Sequence, residues 1–543
     1  MTAIEKCRKK NMRQSRQDGQ ITNGQRLLMK YRFFLFFVAA FLAAGLLTSC
    51  RLLDNISEYN LPKTADAAEK EEKTKEAVPP SDFTKTEIAL IVSTMPSLNP
   101  YAAQNSSVEM LLKQCYQGLM TMSAGGEMIA QLADEVILAE DAMSCQVVLG
   151  EKQFHDGSPV RFQDINYSWQ KAKEGKYAAD VLPIKKITAA GENRLRIDFQ
   201  SPGFLNLYSL AFPIVPANSL EKGDPNSING TGPYRLTEYK RKQTLRLHSE
   251  QNQLEITLSR TEGTGREAFL NSLTDVYFTP EFPWFSFSGE TLRNIFKFPG
   301  CYFYYMGFQT QTGLTADASI RRYLMSKLDK EILYKNAFLN HIIEQKLPYY
   351  RGKEWERELT EIPAADGMNV LDVNPIVPGQ KLTLLYPAED HSLSIMAQNI
   401  KEEWEAYIGV EPVGLAAAEY AAALQAGQFD VYLAKMPVRQ YPNLPELFGS
   451  TGRYNFAGTA GLDSAVAAFM QAATENDLKK AYLALATQVT EGQGLIPFGF
   501  VENAVIISDQ VAGSLTPKTY DTLFGISELR PVQPAARETA GDK

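Results

Sequence analysis

The side chains that could do chemistry in this sequence are few and scattered. Four histidines stand in the whole chain, His155, His248, His341 and His391. None forms the His-Glu-x-x-His pair of a helical zinc site. The chain also lacks a Gly-x-Ser-x-Gly elbow and a Gly-x-x-x-x-Gly-Lys-Ser/Thr phosphate loop. Gly263-Thr264-Gly265 is too short to cradle a nucleotide. Past Cys50 the cysteines are Cys115, Cys145 and Cys301. Three thiols cannot all pair, no Cys-x-x-Cys occurs, and the spacing selects no disulfide, so buried structural thiols are expected. His155, with no second ligand at helical or hairpin spacing, reads as a hydrogen-bonded structural residue. The chemistry on offer is therefore recognition: no enzyme, no cofactor and no metal are expected. A triad assembled from distant residues is the one catalytic route left open.

Composition agrees. The formal net charge is −8, with 55 basic and 63 acidic residues, which argues against a nucleic-acid partner. Hydrophobic residues make up 44% and charged residues 22%, enough to bury a large core. About 490 residues follow Cys50, long enough for more than one domain.

Cys50 has a context of its own. From Met29 the chain reads Met-Lys-Tyr-Arg, then an apolar run from Phe33 to Leu47, then Leu47-Thr48-Ser49-Cys50. Charge, a short apolar stretch and small residues follow the order of a secretory signal. A membrane helix needs about 20 apolar residues, more than this run supplies. The tetrapeptide resembles the lipobox of bacterial lipoproteins, in which the cysteine after the cleavage site carries the lipid. Residues 1–49 are thus expected to be an upstream extension and signal peptide. Residues 50–83 are charged and end near Pro79-Pro80; they read as a lipidated tether.

Behind the tether, Glu87–Val92 is a short β-type run. Val108 to Met120 carries Leu111, Leu112, Cys115 and Leu119 at helical spacing. Ile395 to Ile408 predicts an amphipathic helix with Met396, Ile400 and Trp404 on one face. Leu462 to Val489 predicts two more helices. Strand-like runs cover 194–199, 245–248, 381–386 and 429–434. Strands and helices alternate, so the fold class is mixed α/β. Gly157 and Gly232 read as turn formers, and Asp164 as a helix cap or first-turn acid. The aromatic run Phe282, Trp284, Phe285 and Phe287 reads as packing, with a cleft wall as the other reading.

Several stretches, in order, resemble one family. Ser97-Leu98-Asn99-Pro100 is followed by Tyr116-Gln117-Gly118-Leu119. Phe154-His155-Asp156-Gly157-Ser158-Pro159 precedes Asp164-Ile165-Asn166-Tyr167-Ser168-Trp169. Gly230-Thr231-Gly232-Pro233-Tyr234, Ile320-Arg321-Arg322-Tyr323-Leu324 with Asp329-Lys330-Glu331, and Phe429-Asp430-Val431 with Tyr441-Pro442 complete the set. From about Ile91 to Val511 the chain resembles the solute-binding proteins of ABC importers for oligopeptides, dipeptides and nickel, family 5.

That resemblance implies a two-lobed periplasmic-binding-protein fold (class II type) with an inserted domain and a ligand cleft between the lobes. The first lobe should take residues 84–120, 214–300 and 485–530. The inserted domain should take 121–213, the second lobe 301–484, and a tail 531–543. The implied partners are a peptide or peptide-like solute, the ABC permease subunits, and the membrane through the lipid on Cys50. The implied location is extracytoplasmic, and the chain should be a monomer. Residues falling at ligand-contact positions are Gln104, Asn105 and Ser106 on one side, and Met436, Arg439, Gln440 and Tyr441 on the other.

One departure matters. Peptide binders of the family meet the ligand's α-amine with an acid just before the Tyr-Pro step. Here Arg439 and Gln440 precede Tyr441-Pro442, and Pro437 removes a backbone donor. A buried ammonium without its counter-charge costs about 3–5 kcal/mol. If Arg439 faces the cleft, it repels an amine, and the ligand is anionic, N-blocked or held in another register. If Arg439 points to solvent, a different acid serves. A surface lipoprotein on the same fold, acting as sensor or adhesin without transport, is the alternative function.

Overall fold

Apolar alternation along Glu87–Val92 forms strand β1, whose Ile88 and Leu90 are buried. The computed structural model describes residues 87–92, 97–103, 106–123, 125–223, 227–240, 243–260, 265–279, 294–349, 376, 378–457, 461–492 and 494–532. After β1 comes a helix, Ser106–Lys113, and a small hairpin of β2 (Met120–Met122) and β3 (Met128–Ala130). Strands β4 (Ala133–Leu138), β5 (Ser144–Leu149), β6 (Ile184–Ala189) and β7 (Arg194–Phe199) make an antiparallel sheet in the order β4-β5-β7-β6. The helix Phe162–Glu174 lies between β5 and β6, burying Ile165, Trp169 and Ala172. Strands β8 (Arg235–Lys240), β9 (Thr244–Ser249) and β10 (Leu254–Arg260) then return antiparallel, and β10 closes parallel onto β1.

The rest of the chain is organised around two long strands. β11 (Val276–Thr279) is short, but β12 (Asn294–Phe308) has 15 residues. The helices Ala318–Ser326 and Lys330–Phe338, then strand β13 (Ile342–Glu344), lead to β14 (Lys381–Pro387). The helix His391–Trp404 connects β14 to the parallel β15 (Gly409–Leu415), and Ala417–Gln425 leads back to β16 (Val431–Pro437). The helices Asp463–Met470 and Glu475–Gly492 precede β17 (Leu495–Ile507), which pairs with β12 along nearly its whole length. The sheet order is β11-β17-β12-β16-β14-β15.

β12 and β17 carry the chain from one core to another. Phe298, Val505 and Ile507 belong to a first core with Ile88, Leu90, Ile256 and Leu258. Further along, Phe303, Tyr305 and Phe500 join a second core, while Tyr304, Met306, Phe308 and Phe498 join a third. Odd and even positions of β12 thus serve opposite faces, as a pleat requires. The register between the two strands shifts between Pro299 and Phe303, and again at Tyr304/Tyr305. Two glycines make the shifts possible. A Cβ on Gly300 would lie 2.7 Å from the Val501 carbonyl oxygen. Gly499, at φ +128°, would bring one within 2.1 Å of the Ile343 oxygen. The result is a two-lobed, mixed α/β binding-protein fold.

Local expectations fared unevenly. β1 and β7 occupy the ranges predicted, the runs at 245–248 and 381–386 fall in β9 and β14, and the run at 429–434 overlaps β16, which starts two residues later at Val431. Met396, Ile400 and Trp404 are fully buried on one face of their helix, which starts earlier, at His391, because Asp390 caps it by accepting from the Leu393 N–H. The helix expected to reach Met120 stops at Lys113 instead. The Gln114 and Cys115 carbonyls there accept hydrogen bonds from the Tyr234 and Gly232 N–H groups, at 3.2 and 2.8 Å. Leu119 stays buried after the helix has ended, so apolar spacing ran on past it. The aromatic run at 282–287 lies outside the described residues.

Candidate ligand cleft

The turn at Gly230–Tyr234 is held by His155, as expected of a structural histidine. Its Nε2 lies 2.8 Å from the Gly232 carbonyl, and its Nδ1 accepts the Gly230 N–H at 3.3 Å. Burial pushes the imidazole pKa down, keeping it neutral. Gly232 is needed because a Cβ would sit 2.3 Å from the Gln114 oxygen, and Gly157 turns at φ +84°. Asp164 is the first-turn acid of the helix Phe162–Glu174. Its Oδ2 accepts from the Arg161 N–H and its Oδ1 from the Ala217 N–H, both at 2.8 Å. The three cysteines beyond Cys50 are free thiols; Cys115 and Cys145 are buried, and Cys301 is half-buried.

The loop after β16 forms one wall of the cleft. The Val438 N–H donates to the Cys301 carbonyl at 2.8 Å, and Asn443 Nδ2 holds the Pro437 carbonyl at 3.2 Å. Arg439 and Gln440 face a cavity of about 190 Å³ at the crossing of β12 and β17, whose walls include Tyr208, Phe298, Tyr349 and Phe500. A smaller cavity of about 70 Å³ adjoins it, lined in part by Glu109, Lys113, Lys176 and Asp521. Met122, Gln440, Lys518 and Tyr520 line both.

Arg439 does not stand bare in this wall. Its Nη1 lies 2.7 Å from Glu446 Oε1, in the short helix Leu444–Phe448 that follows the loop. Arg453 Nε lies 2.8 Å from the other Glu446 oxygen. An acid distant in sequence also reaches this loop. Asp180 sits in the turn before β6, next to the first-core residue Val181, and accepts the Tyr441 N–H at 3.3 Å. Burial pushes the Asp180 carboxyl up, opposed by the Tyr441 N–H and by the charges of Arg439, Lys113 and Lys176. Tyr520 makes a second bridge, its hydroxyl donating to the Arg439 carbonyl at 2.7 Å.

The floor is a run of charges that no local motif announces. The Lys113 ammonium donates to the Tyr520 carbonyl, and Gln114 Nε2 donates to Asp521 Oδ1 at 3.1 Å. Lys176 pairs with Glu109 at 3.0 Å. Lys518 is 6% exposed; its Nζ donates to the Met122 carbonyl at 2.5 Å and lies over the Phe524 ring. Burial lowers its pKa to about 8, with Asp521 opposing and Lys113 reinforcing the shift. Burial likewise raises the Asp521 carboxyl and lowers Lys113.

The expected contact residues therefore separate. Gln440 lines both cavities and Arg439 the larger one, while Tyr441 is half-buried and offers its N–H to Asp180. Met436 does not reach the cleft: it is fully buried in the second core, because β16 turns that face onto β12 opposite Phe303. Gln104, Asn105 and Cys50 lie outside the described residues. Ser106 opens the helix Ser106–Lys113, and its side chain is outside them too. Asp180, Glu446, Lys518, Tyr520 and Asp521 were not among the expected contacts.

Over residues 127–455 the chain matches the bacterial extracellular solute-binding proteins, family 5 (middle region). It belongs to that family. It is 24% identical over 452 residues to the periplasmic murein peptide-binding protein MppA of Escherichia coli (strain K12), a span of 70% of this chain and 81% of that relative. It is 20% identical over 414 residues to the oligopeptide-binding protein OppA of Bacillus subtilis (strain 168), covering 66% and 74%. Among solved structures, MppA in its unliganded open form matches with a TM-score of 0.68 at 18% identity, covering 83% of this chain and 98% of that one. NikA from Brucella suis in complex with Fe(III)-EDTA matches at 0.64 and 16%, covering 82% and 100%. These relatives are binding proteins rather than enzymes, and this chain is a solute-binding protein. Among the described residues no helix is long and apolar enough to cross a membrane, and no group of three or more His, Cys, Asp or Glu could hold a metal ion.

Proposed function

We propose that the chain is the lipid-anchored receptor of an ABC importer, capturing a peptide or peptide-like solute between two closing lobes and delivering it to the permease. The observation that carries this reading is the pair of adjoining cavities at the crossing strands, lined by cations, acids and aromatic rings together. A peptide presents a charge of each sign and apolar side chains, and such a lining answers all three. The names of MppA and OppA, a murein peptide binder and an oligopeptide binder, support the same solute class.

In this reading residues 84–120, 214–300 and 485–530 form the first lobe, 121–213 the inserted domain and 301–484 the second lobe. A lipid on Cys50 and a tether to residue 83 keep the receptor beside its permease at high local concentration. Glu446, shared with Arg453, holds the Arg439 guanidinium, which weakens the objection to an amine-bearing ligand. Asp180 is the acid that meets the α-amine, in place of one before Tyr441-Pro442. Native mass spectrometry of the purified mature chain, followed by thermal shifts with short peptides, tests the proposal. A peptide at 100 times its Kd should add about 2.7 kcal/mol of stability. If no peptide co-purifies and none shifts the transition, the peptide-receptor reading fails.

A further inference from the structure

The larger cavity is asymmetric in charge. Lys297, Arg439 and Lys518 line it, and among the described residues no Asp or Glu does. Two of these cations are already engaged: Arg439 by Glu446 at 2.7 Å, and Lys297 by Glu502 at 3.8 Å. Lys518 differs. Its ammonium carries three donors; it gives one to the Met122 carbonyl and lies over the Phe524 ring, and among the described residues no carboxylate lies within ion-pair reach. Holding a buried ammonium with donors to spare is costly unless something completes it.

The space beside Lys518 has an aromatic side, although Ser123, Gln440 and Thr519 also line it. The hydroxyls of Tyr208 and Tyr349 meet at 3.0 Å, and Tyr208 also donates to the Gly126 carbonyl at 2.6 Å. Their polar ends are thus occupied, and Phe298, Phe500, Pro299 and Pro348 add apolar surface beside them. An enclosed apolar cavity of about 150 Å³ is known to hold a benzene ring. At about 190 Å³, this chamber has room for one side chain of leucine or phenylalanine size.

We infer that Lys518 receives the terminal carboxylate of the solute, with the last side chain seated in the adjoining aromatic chamber. The substrate class is then a short peptide ending in an apolar residue with a free carboxylate. This rests on the peptide-receptor reading and adds the ligand's polarity. The carboxylate end lies at the crossing strands, and the amine end points toward Asp180.

Isothermal titration with three probes tests it: Ala-Ala-Phe, its C-terminal amide, and Ala-Ala-Lys. Wild type should bind the free acid about 10- to 100-fold tighter than the amide, the value of a hydrogen bond to a charged group. It should also bind Ala-Ala-Phe more tightly than Ala-Ala-Lys. Lys518→Gln should bring acid and amide to within about twofold of each other. If wild type binds acid and amide equally, the Lys518 assignment is overturned while the receptor reading stands. A preference for the acid that persists in Lys518→Gln also overturns it, because another cation then holds the carboxylate. If none of the three probes binds while other short peptides still shift the unfolding transition, the Lys518 assignment is overturned and the receptor reading stands. The acid–amide comparison on wild type decides the matter even if the variant folds poorly.

Discussion

Lys518 has a consequence for stability as well as for binding. It titrates in the folded chain at about 8, against an ordinary value of 10.5. Between those values the unfolded chain binds more protons than the folded one, so stability rises with pH there. The unfavourable contribution is complete below about pH 8 and fades as pH climbs from 8 to 10.5. Its ceiling is about 3 kcal/mol. Lys518→Met, which keeps the bulk, should therefore stabilise the ligand-free protein by about 1–2 kcal/mol at pH 7, less than the ceiling because the Met122 carbonyl loses its donor. The gain should shrink at pH 10. Urea unfolding at both pH values checks this, and a loss of stability at pH 7 would refute it. Asp164 makes the opposite case. It satisfies two backbone donors, and Asp164→Ala should cost about 2 kcal/mol. Its role was legible because capping is a local pattern. That of Lys518 was not: its surroundings come from residues near 113, 122, 439 and 524, and no short pattern joins them.

At the scale of elements, legibility followed who supplies the partner. The helix His391–Trp404 carries its apolar stripe within its own sequence, so spacing found its body, while both ends, set by the Asp390 cap and the stop at Trp404, lie about one turn earlier than expected. The helix Ser106–Lys113 ends because carbonyls at 114 and 115 bond to a turn more than a hundred residues away, which periodicity cannot register. The crossing strands show the same limit. β17 is almost wholly buried, so its sequence has no alternation to reveal its ends, and its irregular pairing depends on β12 and β13. Gly499 is where that dependence is sharpest, with φ +128° and β13 backbone against its α-carbon. Gly499→Ala should cost about 2–4 kcal/mol, since neither the conformation nor the contact can relax without moving β13. Denaturant unfolding measures it, and a cost below about 1 kcal/mol would mean that the register shift tolerates a side chain.

At the scale of the whole molecule, two polar contacts tie the first core's surroundings to the second's. Asp180 accepts from the Tyr441 N–H, and the Tyr520 hydroxyl donates to the Arg439 carbonyl. Both hold the same loop after β16, the wall that carries Arg439 and Gln440. If lobe closure is a balance between open and closed forms, these contacts weigh on the closed side without touching either core. Each hydrogen bond contributes about 1 kcal/mol net, so losing both should move the balance about 30-fold toward the open form. The double variant Asp180→Ala, Tyr520→Phe should thus show a larger radius of gyration in ligand-free solution scattering, with the unfolding free energy lowered by no more than about 2 kcal/mol. A saturating peptide should return Tyr520→Phe, which keeps Asp180, to the wild-type value, and should close the double variant less completely. Tyr520→Phe alone separates closure from ligand contact: it removes one hydroxyl and leaves Asp180 for the amine. If the ligand-free double variant scatters like wild type, packing between the walls holds the lobes, and these two hydrogen bonds do not set the balance.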